Sequence, residues 1–348
     1  MKRILKLISI TFGLVVLAAT AIHIKRGYEK LPARPPEFEI IAHAGVHQNY
    51  PSGNLTNETC TASRIYPLTH RFIDNTIPAI GEAFKDGATM VEMDIHPTSD
   101  GHMVVFHDWG LDCRTNGHGI THDHTLAELK KLDVGYGYTP DGGKTFPLRG
   151  SGVGMMPTLE EVLAAFPDKK FIIHQKDNST RTVQILAAIV NKLPEEQRHR
   201  LYWFGSARSY AKLKQIAPEI TKQFPFPDEM RRCAISELWR LGFGELPKAC
   251  HLSSMGLPAR YLWLVPGWPN AFLQKSAAAR IPFYVIEVDS VEESEKLAKL
   301  PINGIMTNWI EVVGPVIARA RAASPASRDP LEHGLTNKGI DNPTLDRR

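Results

Sequence analysis

The sequence predicts an α/β protein whose parallel strands close into a TIM (β/α)8 barrel, with a membrane-targeting helix in front of it. Short apolar, strand-like runs alternate with helix-like stretches from residue 38 to about residue 320, which is the pattern of repeated βαβ units. About eight strands and eight helices result, as a barrel of about 250 residues requires. The length of 348 residues would also fit two smaller domains, so length alone does not distinguish one barrel from two domains.

The predicted elements follow one another in order along the chain. We assign strands to residues 38–42, 89–95, 103–106, 170–174, 201–204, 221–224, 282–288 and 302–306, and helices to 76–86, 158–165, 180–192, 207–216, 229–241, 270–279, 291–300 and 311–322. A polar, glycine-rich insertion at 109–156 interrupts the alternation. Such an insertion normally lies over the C-terminal face of a barrel, where active sites are found.

The two ends of the chain differ from this barrel region of residues 38–322. Basic residues precede an apolar run at 7–24, and Lys25 and Arg26 follow it. Because the run is near the minimum for crossing a bilayer, roughly 17 to 25 residues, and is flanked by positive charge, we favour an uncleaved signal anchor within 1–30. The small residues at 19–21 also fit a cleaved signal peptide, and a buried core helix is the third alternative. Residues 31–37 form a proline-rich linker, and the polar tail at 323–348 is predicted to be disordered.

The four cysteines and the charge limit the compartment and the partners. An anchor or a signal peptide places the barrel in the periplasm or outside the cell, with the anchor in the inner membrane, where disulfides persist. We predict the pairs Cys60–Cys113, in two loops on one barrel face, and Cys233–Cys250, which are close in sequence; four buried thiols are the alternative. A zinc ribbon is excluded by the spacing, and the scattered net charge of +4 gives no sign of a nucleic-acid partner.

Polar residues at the ends of the predicted strands carry the chemistry. Glu92 and Asp94 are two positions apart in one strand, so both side chains project from the same face. Two adjacent carboxylates either face water on an edge strand or bind a hard cation. His43 and His107 each follow the end of another strand, and two histidines at strand ends indicate an acid and a base, although a lone histidine is more often structural.

Eight short motifs in register resemble the glycerophosphodiester phosphodiesterase family over about residues 38–316. They read His43-Ala44-Gly45, Ile73-Asp74-Asn75-Thr76, Glu92-Met93-Asp94, Thr98-Ser99-Asp100-Gly101, His107-Asp108, Cys113-Arg114-Thr115, Pro157-Thr158-Leu159-Glu160-Glu161 and His174-Gln175-Lys176. The resemblance implies an eight-stranded barrel, His43 and His107 as the acid–base pair, Glu92 and Asp94 as metal ligands, and one Mg²⁺ or Ca²⁺. It also implies a glycerophosphodiester or lysophospholipid substrate.

Three positions depart from the family pattern. Ala44 replaces an arginine that holds phosphate, and a methyl group cannot replace its bidentate donors. His174 replaces a third carboxylate ligand, and imidazole suits Zn²⁺ or Mn²⁺ better than Ca²⁺. Asp74 replaces a glutamate.

Several neighbouring residues are candidates to complete the site. We expect Lys176, Asn75, Asp74 and Arg71 to contribute to substrate binding, and Glu287 is a further candidate for the cation. Arg114 in the insertion either closes over an anionic substrate or is simply exposed.

The predicted function is therefore metal-dependent hydrolysis of a glycerophosphodiester to an alcohol and glycerol phosphate. Two alternatives remain at this point. One is a lysophospholipase D-like or cyclising phosphodiesterase acting on lipids beside the membrane. The other is a catalytically impaired barrel that binds phosphodiesters, an idea motivated by Ala44 and His174.

Overall fold

The computed structural model describes residues 30–322 except 52, 54, 57, 58, 178, 221, 225, 226 and 241, together with Gly13, Thr20 and Ala21. Apart from these three positions and Lys30, the predicted membrane-targeting segment at 1–30 lies outside the described residues, as does the tail at 323–348. Among the described residues, no helix combines the length and the apolar character that a membrane crossing needs.

Eight parallel strands build the wall of a TIM barrel. The sheet has nine strands in the described residues, the eight of the wall and the additional β3: β1 (Glu39–His43), β2 (Met90–Pro97), β3 (Met103–Val105), β4 (Lys170–Gln175), β5 (Leu201–Phe204), β6 (Lys222–Phe224), β7 (Met255–Pro258), β8 (Phe283–Ile286) and β9 (Gly304–Thr307). Their order is β6-β5-β4-β2-β1-β9-β8-β7, and β3 pairs with β2 outside this path. Within the described part no ladder joins β6 to β7, but Ser254 Oγ donates to the carbonyl of Gln223 across the seam, at 2.8 Å.

Two strand predictions need correction. The predicted strand at 103–106 forms β3, yet β3 runs antiparallel to the end of β2 and is not a barrel strand. The strand that completes the barrel is β7, which the sequence did not predict. Its sequence Met-Gly-Leu-Pro contains two residues that are depleted in strands, so its pairing with β8 depends on tertiary context.

Eight of the ten α-helices in the described residues lie close to their predicted positions. The ten are α1 (Ile77–Lys85), α2 (Leu126–Leu129), α3 (Leu159–Ala165), α4 (Thr180–Val190), α5 (Glu195–Arg198), α6 (Ala207–Ile216), α7 (Pro227–Trp239), α8 (Asn270–Ala278), α9 (Val291–Ala298) and α10 (Ile310–Ala322). The short helices α2, within the insertion, and α5 were not predicted. Local sequence sets their starts: Thr158 caps α3 in a capping box with Glu161, and Thr76 caps α1, which has Pro78 in its first turn.

Side-chain alternation along the strands divides the core into layers. Val91, Met93 and Ile95 of β2 point outward into the large core between sheet and helices. Ile41, Met90 and Ile172 point into the barrel. A third cluster is formed mainly by residues of the insertion, together with residues from the segments before α1 and around β3. Because strand residues two apart share a face, the inward positions after Ile41, Met90 and Ile172 are taken by polar residues at the C-terminal mouth.

Both predicted disulfides are present. Cys60 pairs with Cys113, with a Cα–Cα distance of 5.4 Å, and so joins the loop after β1 to the insertion. Cys233 pairs with Cys250, with a Cα–Cα distance of 4.6 Å, and joins α7 to the segment before β7. The described residues contain no free cysteine.

Candidate active site

Strand register brings the two predicted acids and two histidines together at the mouth of the barrel. His43 lies opposite Glu92 in the β1–β2 ladder, and Asp94 lies opposite His174 in the β2–β4 ladder. Glu92 and Asp94 are 1% and 0% exposed. The solvated edge-strand alternative is therefore wrong, because both carboxylates are buried on the inner face.

Glu92, Asp94 and His174 form a compact cluster of potential metal ligands. Each offers one ligand atom, and these atoms lie within 4.8 Å of one another; no other such cluster occurs in the part of the chain described. His174 Nδ1 lies 2.9 Å from both Glu92 Oε1 and Asp94 Oδ1. Its ring lies against Phe204, with the centroids 4.3 Å apart, which fixes its orientation.

Two basic groups balance the charge of these acids. Lys176 Nζ lies 3.2 Å from Asp94 Oδ1. Burial alone would raise the pKa of Asp94, but Lys176, His107 and His174 more than offset it and hold this pKa well below its usual range. Burial alone would lower the pKa of His174, but the close contacts of its Nδ1 with the carboxylates of Asp94 and Glu92 raise it instead.

The two predicted proton carriers face each other across the mouth. The ring centroids of His43 and His107 are 6.5 Å apart and the rings are nearly perpendicular. His43 Nε2 lies 3.7 Å from Glu92 Oε2. His107 Nδ1 lies 2.7 Å from Asp108 Oδ1, and because an ionised carboxylate only accepts, His107 donates from Nδ1 and turns Nε2 away from Asp108.

Arg114 holds this corner of the site together from the insertion. Its Nε donates to Asp108 Oδ2 at 3.0 Å, and its Nη1 donates to Asp74 Oδ1 at 2.8 Å. Tyr138 also donates to Asp74. Arg114 is 5% exposed, so it is not the exposed charge that one alternative expected, and its guanidinium group is paired with Asp108 and Asp74. The disulfide at Cys113 comes directly before it.

Lys176 and Asn75 are the two predicted substrate-binding residues that contact the acid cluster. Asn75 donates from Nδ2 to Asp94 Oδ2 at 3.1 Å, and its Oδ1 accepts from the Asp94 backbone N–H at 3.1 Å. Asn75 is buried and adopts a left-handed backbone with φ of 58°. These two bonds orient Asp94.

The other predicted contributors point elsewhere. Asp74 is paired with Arg114. Arg71 is exposed and donates to the carbonyl of Pro147 at 2.9 Å. Glu287 forms an ion pair with Arg260. Neither Arg71 nor Glu287 takes over the task of a missing arginine or carboxylate here.

Ala44, in place of the expected arginine, occupies a strained position. It is 3% exposed and left-handed, with φ of 56°. The next residue must be glycine: a Cβ on Gly45, whose φ is +84°, would lie 2.9 Å from the backbone of Ala79. The tight turn follows directly after His43, the last residue of β1, which lies at the mouth.

Sequence reasoning missed two groups of site residues. Asn308 and Asp289 follow β9 and β8 and contact His43 through a hydrogen-bond chain. His47 is buried beside His43, with ring centroids 5.9 Å apart, and burial lowers its pKa to about 4. The available signal was positional: Asn308 and Asp289 are polar residues at strand ends.

The sequence of this chain matches a known protein family. The sequence profile of the glycerophosphoryl diester phosphodiesterase family matches residues 62–312, more than half of the chain. A glycerophosphodiester phosphodiesterase of Caldanaerobacter subterraneus subsp. tengcongensis is 28% identical over 273 residues, covering 77% of this chain and 93% of that protein. One from Bacillus subtilis is 38% identical over 122 residues, covering 33% of this chain and 39% of that protein.

Solved structures share the fold. A glycerophosphoryl diester phosphodiesterase from Silicibacter pomeroyi aligns with a TM-score of 0.58 at 18% identity, covering 84% of this chain and 97% of that one. A phosphodiesterase from Oleispira antarctica, solved with the product sn-glycerol-3-phosphate, aligns with a TM-score of 0.55 at 18% identity, covering 82% and 97%. The chain therefore belongs to the glycerophosphoryl diester phosphodiesterase family and is an enzyme of that class.

Proposed function

We propose that this enzyme hydrolyses glycerophosphodiesters to an alcohol and glycerol phosphate, with His43 and His107 as proton carriers beside a divalent cation held by Glu92, Asp94 and His174. The observation that carries the proposal is convergence: His43, at the end of β1, and His107, in the segment after β3, face each other next to two buried carboxylates. A phosphodiester between the rings would be in reach of both.

The donor set fits a divalent cation. Glu92 Oε2 and Asp94 Oδ1 are buried and have no hydrogen-bond partner of adequate geometry, although His174 and Lys176 lie near Asp94 Oδ1. Buried carboxylate oxygens without a hydrogen bond are costly unless a cation compensates them. A bound divalent cation would supply Lewis-acid stabilisation of the charge that develops on the phosphate.

The third ligand bears on which metal binds. With imidazole in the set, we propose Mn²⁺ or Zn²⁺ as a better match than Ca²⁺ or Mg²⁺, which prefer oxygen ligands. His174 presents Nδ1 to the cluster, and its proton must leave before that nitrogen can coordinate.

The chain's own groups supply the proton transfers. One imidazole accepts the proton of the attacking hydroxyl, which belongs to water or to the glycerol moiety, and the other protonates the leaving alkoxide; such steps are typically worth about 10²- to 10⁴-fold each. The phosphorus–oxygen bond to the alcohol breaks as the new one forms. Lys176, held at Asp94, adds positive charge beside the phosphate.

The test is turnover of glycerophosphocholine by the purified protein with Mg²⁺, Ca²⁺, Mn²⁺ and Zn²⁺ in turn. We expect release of glycerol phosphate, with at least a 100-fold loss of kcat in H43N and in H107N and no loss in H118N, a matched change at an exposed histidine of the insertion. Phosphorus NMR separates hydrolysis from cyclisation, because a cyclic phosphate would persist as product. No turnover with any metal would refute the proposal.

We also propose an extracytoplasmic location, with the barrel attached to the inner membrane. Two disulfides in the described residues support an oxidising compartment. Fractionation of cells, followed by mass spectrometry of the mature N-terminus, distinguishes an uncleaved anchor from a cleaved signal peptide; free thiols in a cytoplasmic fraction would contradict the location.

A further inference from the structure

We propose that Asp289, acting through Asn308, is a positioning residue that fixes the tautomer of His43 and leaves its Nε2 as the proton-accepting nitrogen. The inference rests on the proposed function, since it takes His43 to be a proton carrier. It adds two residues from the strands on the far side of β1, opposite the acid cluster.

Both oxygens of the Asp289 carboxylate accept hydrogen bonds from Asn308. Oδ1 accepts from the Asn308 backbone N–H at 2.8 Å, and Oδ2 accepts from Asn308 Nδ2 at 2.9 Å. A third bond comes from Thr307 Oγ1 to Oδ1, at 3.2 Å. Asp289 lies on the exposed rim after β8, and these bonds join the ends of β8 and β9.

The polarity of this chain of hydrogen bonds is determined by its first member. A carboxylate at neutral pH accepts and does not donate. The amide NH₂ of Asn308 must therefore face Asp289, and its carbonyl oxygen must face His43. His43 Nδ1 lies 2.8 Å from that oxygen, so Nδ1 has to carry the hydrogen.

A hydrogen on Nδ1 determines the state of the other ring nitrogen of His43, Nε2. A neutral imidazole with its hydrogen on Nδ1 has a lone pair on Nε2, and Nε2 is the nitrogen that faces Glu92, at 3.7 Å, and the mouth. If the Asn308 amide were reversed, Nδ2 would face Nδ1, the hydrogen would move to Nε2, and the ring could not accept a proton there.

The first measurement is the tautomer itself in the wild-type enzyme. Protein labelled with ¹⁵N-histidine is recorded under conditions where the His43 ring is neutral, and the signals are assigned by their loss in H43Q. We expect a protonated-type shift at Nδ1 and an unprotonated-type shift at Nε2. The reverse pattern would overturn the proposal whether or not the enzyme turns over glycerophosphocholine, and absence of turnover alone would instead count against the proposed function.

The second measurement asks whether Asp289 causes this preference. In D289N the partner can donate as well as accept, so Asn308 loses its fixed orientation. We expect both His43 tautomers to be populated and kcat to fall about tenfold or more, while KM changes less than about threefold, because a positioning residue acts through Asn308 and His43 and not on substrate binding. Unchanged tautomer and unchanged kcat in D289N would overturn the proposal.

Two further variants separate positioning from simple loss of structure. The exchange D289N/N308D places the carboxylate directly beside His43 Nδ1, so it should recover the tautomer and most of the lost kcat. S290A removes the N-cap of α9 next to Asp289 and should leave both tautomer and kcat as in wild type. If D289N does not fold, N308A serves instead; retention of the Nδ1–H form there would also refute the inference.

Discussion

Replacing Asp108 with asparagine keeps the side-chain size but removes the charge that holds His107 and Arg114 in one arrangement. In the wild-type protein one carboxylate oxygen accepts from His107 Nδ1 at 2.7 Å and the other accepts from Arg114 Nε at 3.0 Å. Burial alone would raise the pKa of Asp108, but Arg114 and His107 more than offset it and hold this pKa well below its usual value. The carboxylate is therefore charged throughout the neutral range.

The magnitude follows from these contacts. An asparagine at 108 can present its NH₂ to His107 and favour the wrong tautomer, so we expect kcat to fall about 10²- to 10⁴-fold, the usual contribution of a positioned acid or base. Breaking a buried ion pair typically costs about 3–5 kcal/mol. Because Arg114 keeps Asp74 as a partner, we expect a smaller loss of stability, about 2 kcal/mol.

A double-mutant cycle tests whether Asp108 acts only through His107. The rates of D108N, H107N and D108N/H107N are compared, with D112N as a control, since Asp112 pairs with an exposed histidine. If the reasoning is correct, the double variant is no slower than H107N alone. A rate that falls by the product of the two single effects would show that Asp108 acts independently and would refute the positioning role.

Three further predictions concern the metal, a buried histidine and a strained backbone. The raised pKa of His174 means that metal must displace its proton, so the affinity for Mn²⁺ or Zn²⁺ measured by calorimetry should weaken as pH falls, with proton release that H174Q abolishes. His47 has a pKa of about 4 in the folded protein against 6.5 when unfolded, so the unfolded state takes up the proton first. Stability should therefore fall by up to about 3 kcal/mol as pH drops from 6.5 to 4, measured by urea unfolding; an equally steep loss in H47Q would contradict this assignment. A44G should relieve the left-handed strain at φ of 56° and add about 1 kcal/mol, whereas A42G in the β1 strand should lose stability; no gain in A44G would show that the turn is not strained.

Periodicity was sufficient to predict most of the wall of the barrel. The strands at 170–174 and 201–204, for example, are short apolar runs flanked by helical patterns, and they form β4 and β5. The strand β7 could not be found this way. Its glycine and proline weaken the local signal, and its place is set by pairing with β8, which is information about distant residues.

The candidate site divides in a similar way. Residues that lie on the strands or at their ends, such as Glu92, Asp94 and His43, could be placed from alternation and order alone. The roles of Asp74 and Asn75 could not, because a motif does not tell whether a polar side chain faces substrate or a neighbouring side chain. Asp74 instead meets Arg114, 40 residues away in sequence, and only the folded chain brings the two together.

Alanine stands at position 44, where the family pattern has an arginine that holds phosphate. We therefore expect phosphate binding to depend most on the cationic side chain of Lys176. Arg114 cannot supply the missing guanidinium, because its nitrogens already donate hydrogen bonds to Asp108, Asp74 and Thr61. If Arg114 turned toward the phosphate, the largely buried carboxylates of Asp108 and Asp74 would lose their cationic partner. Lys176 Nζ, 3.2 Å from Asp94, lies directly at the acid cluster.

We therefore expect K176M to raise KM for glycerophosphocholine about tenfold or more, since one charge-assisted contact to phosphate is worth about 1.5–3 kcal/mol. K144M, at an exposed lysine of the insertion, should leave KM unchanged. An ammonium group is a point charge without the planar fork of arginine, so it attracts phosphate without fixing its orientation. In this chain, we therefore expect the cation site and the two histidines to orient the phosphate. An unchanged KM in K176M, with the metal affinity intact, would mean that phosphate is held elsewhere and that this division of tasks is wrong.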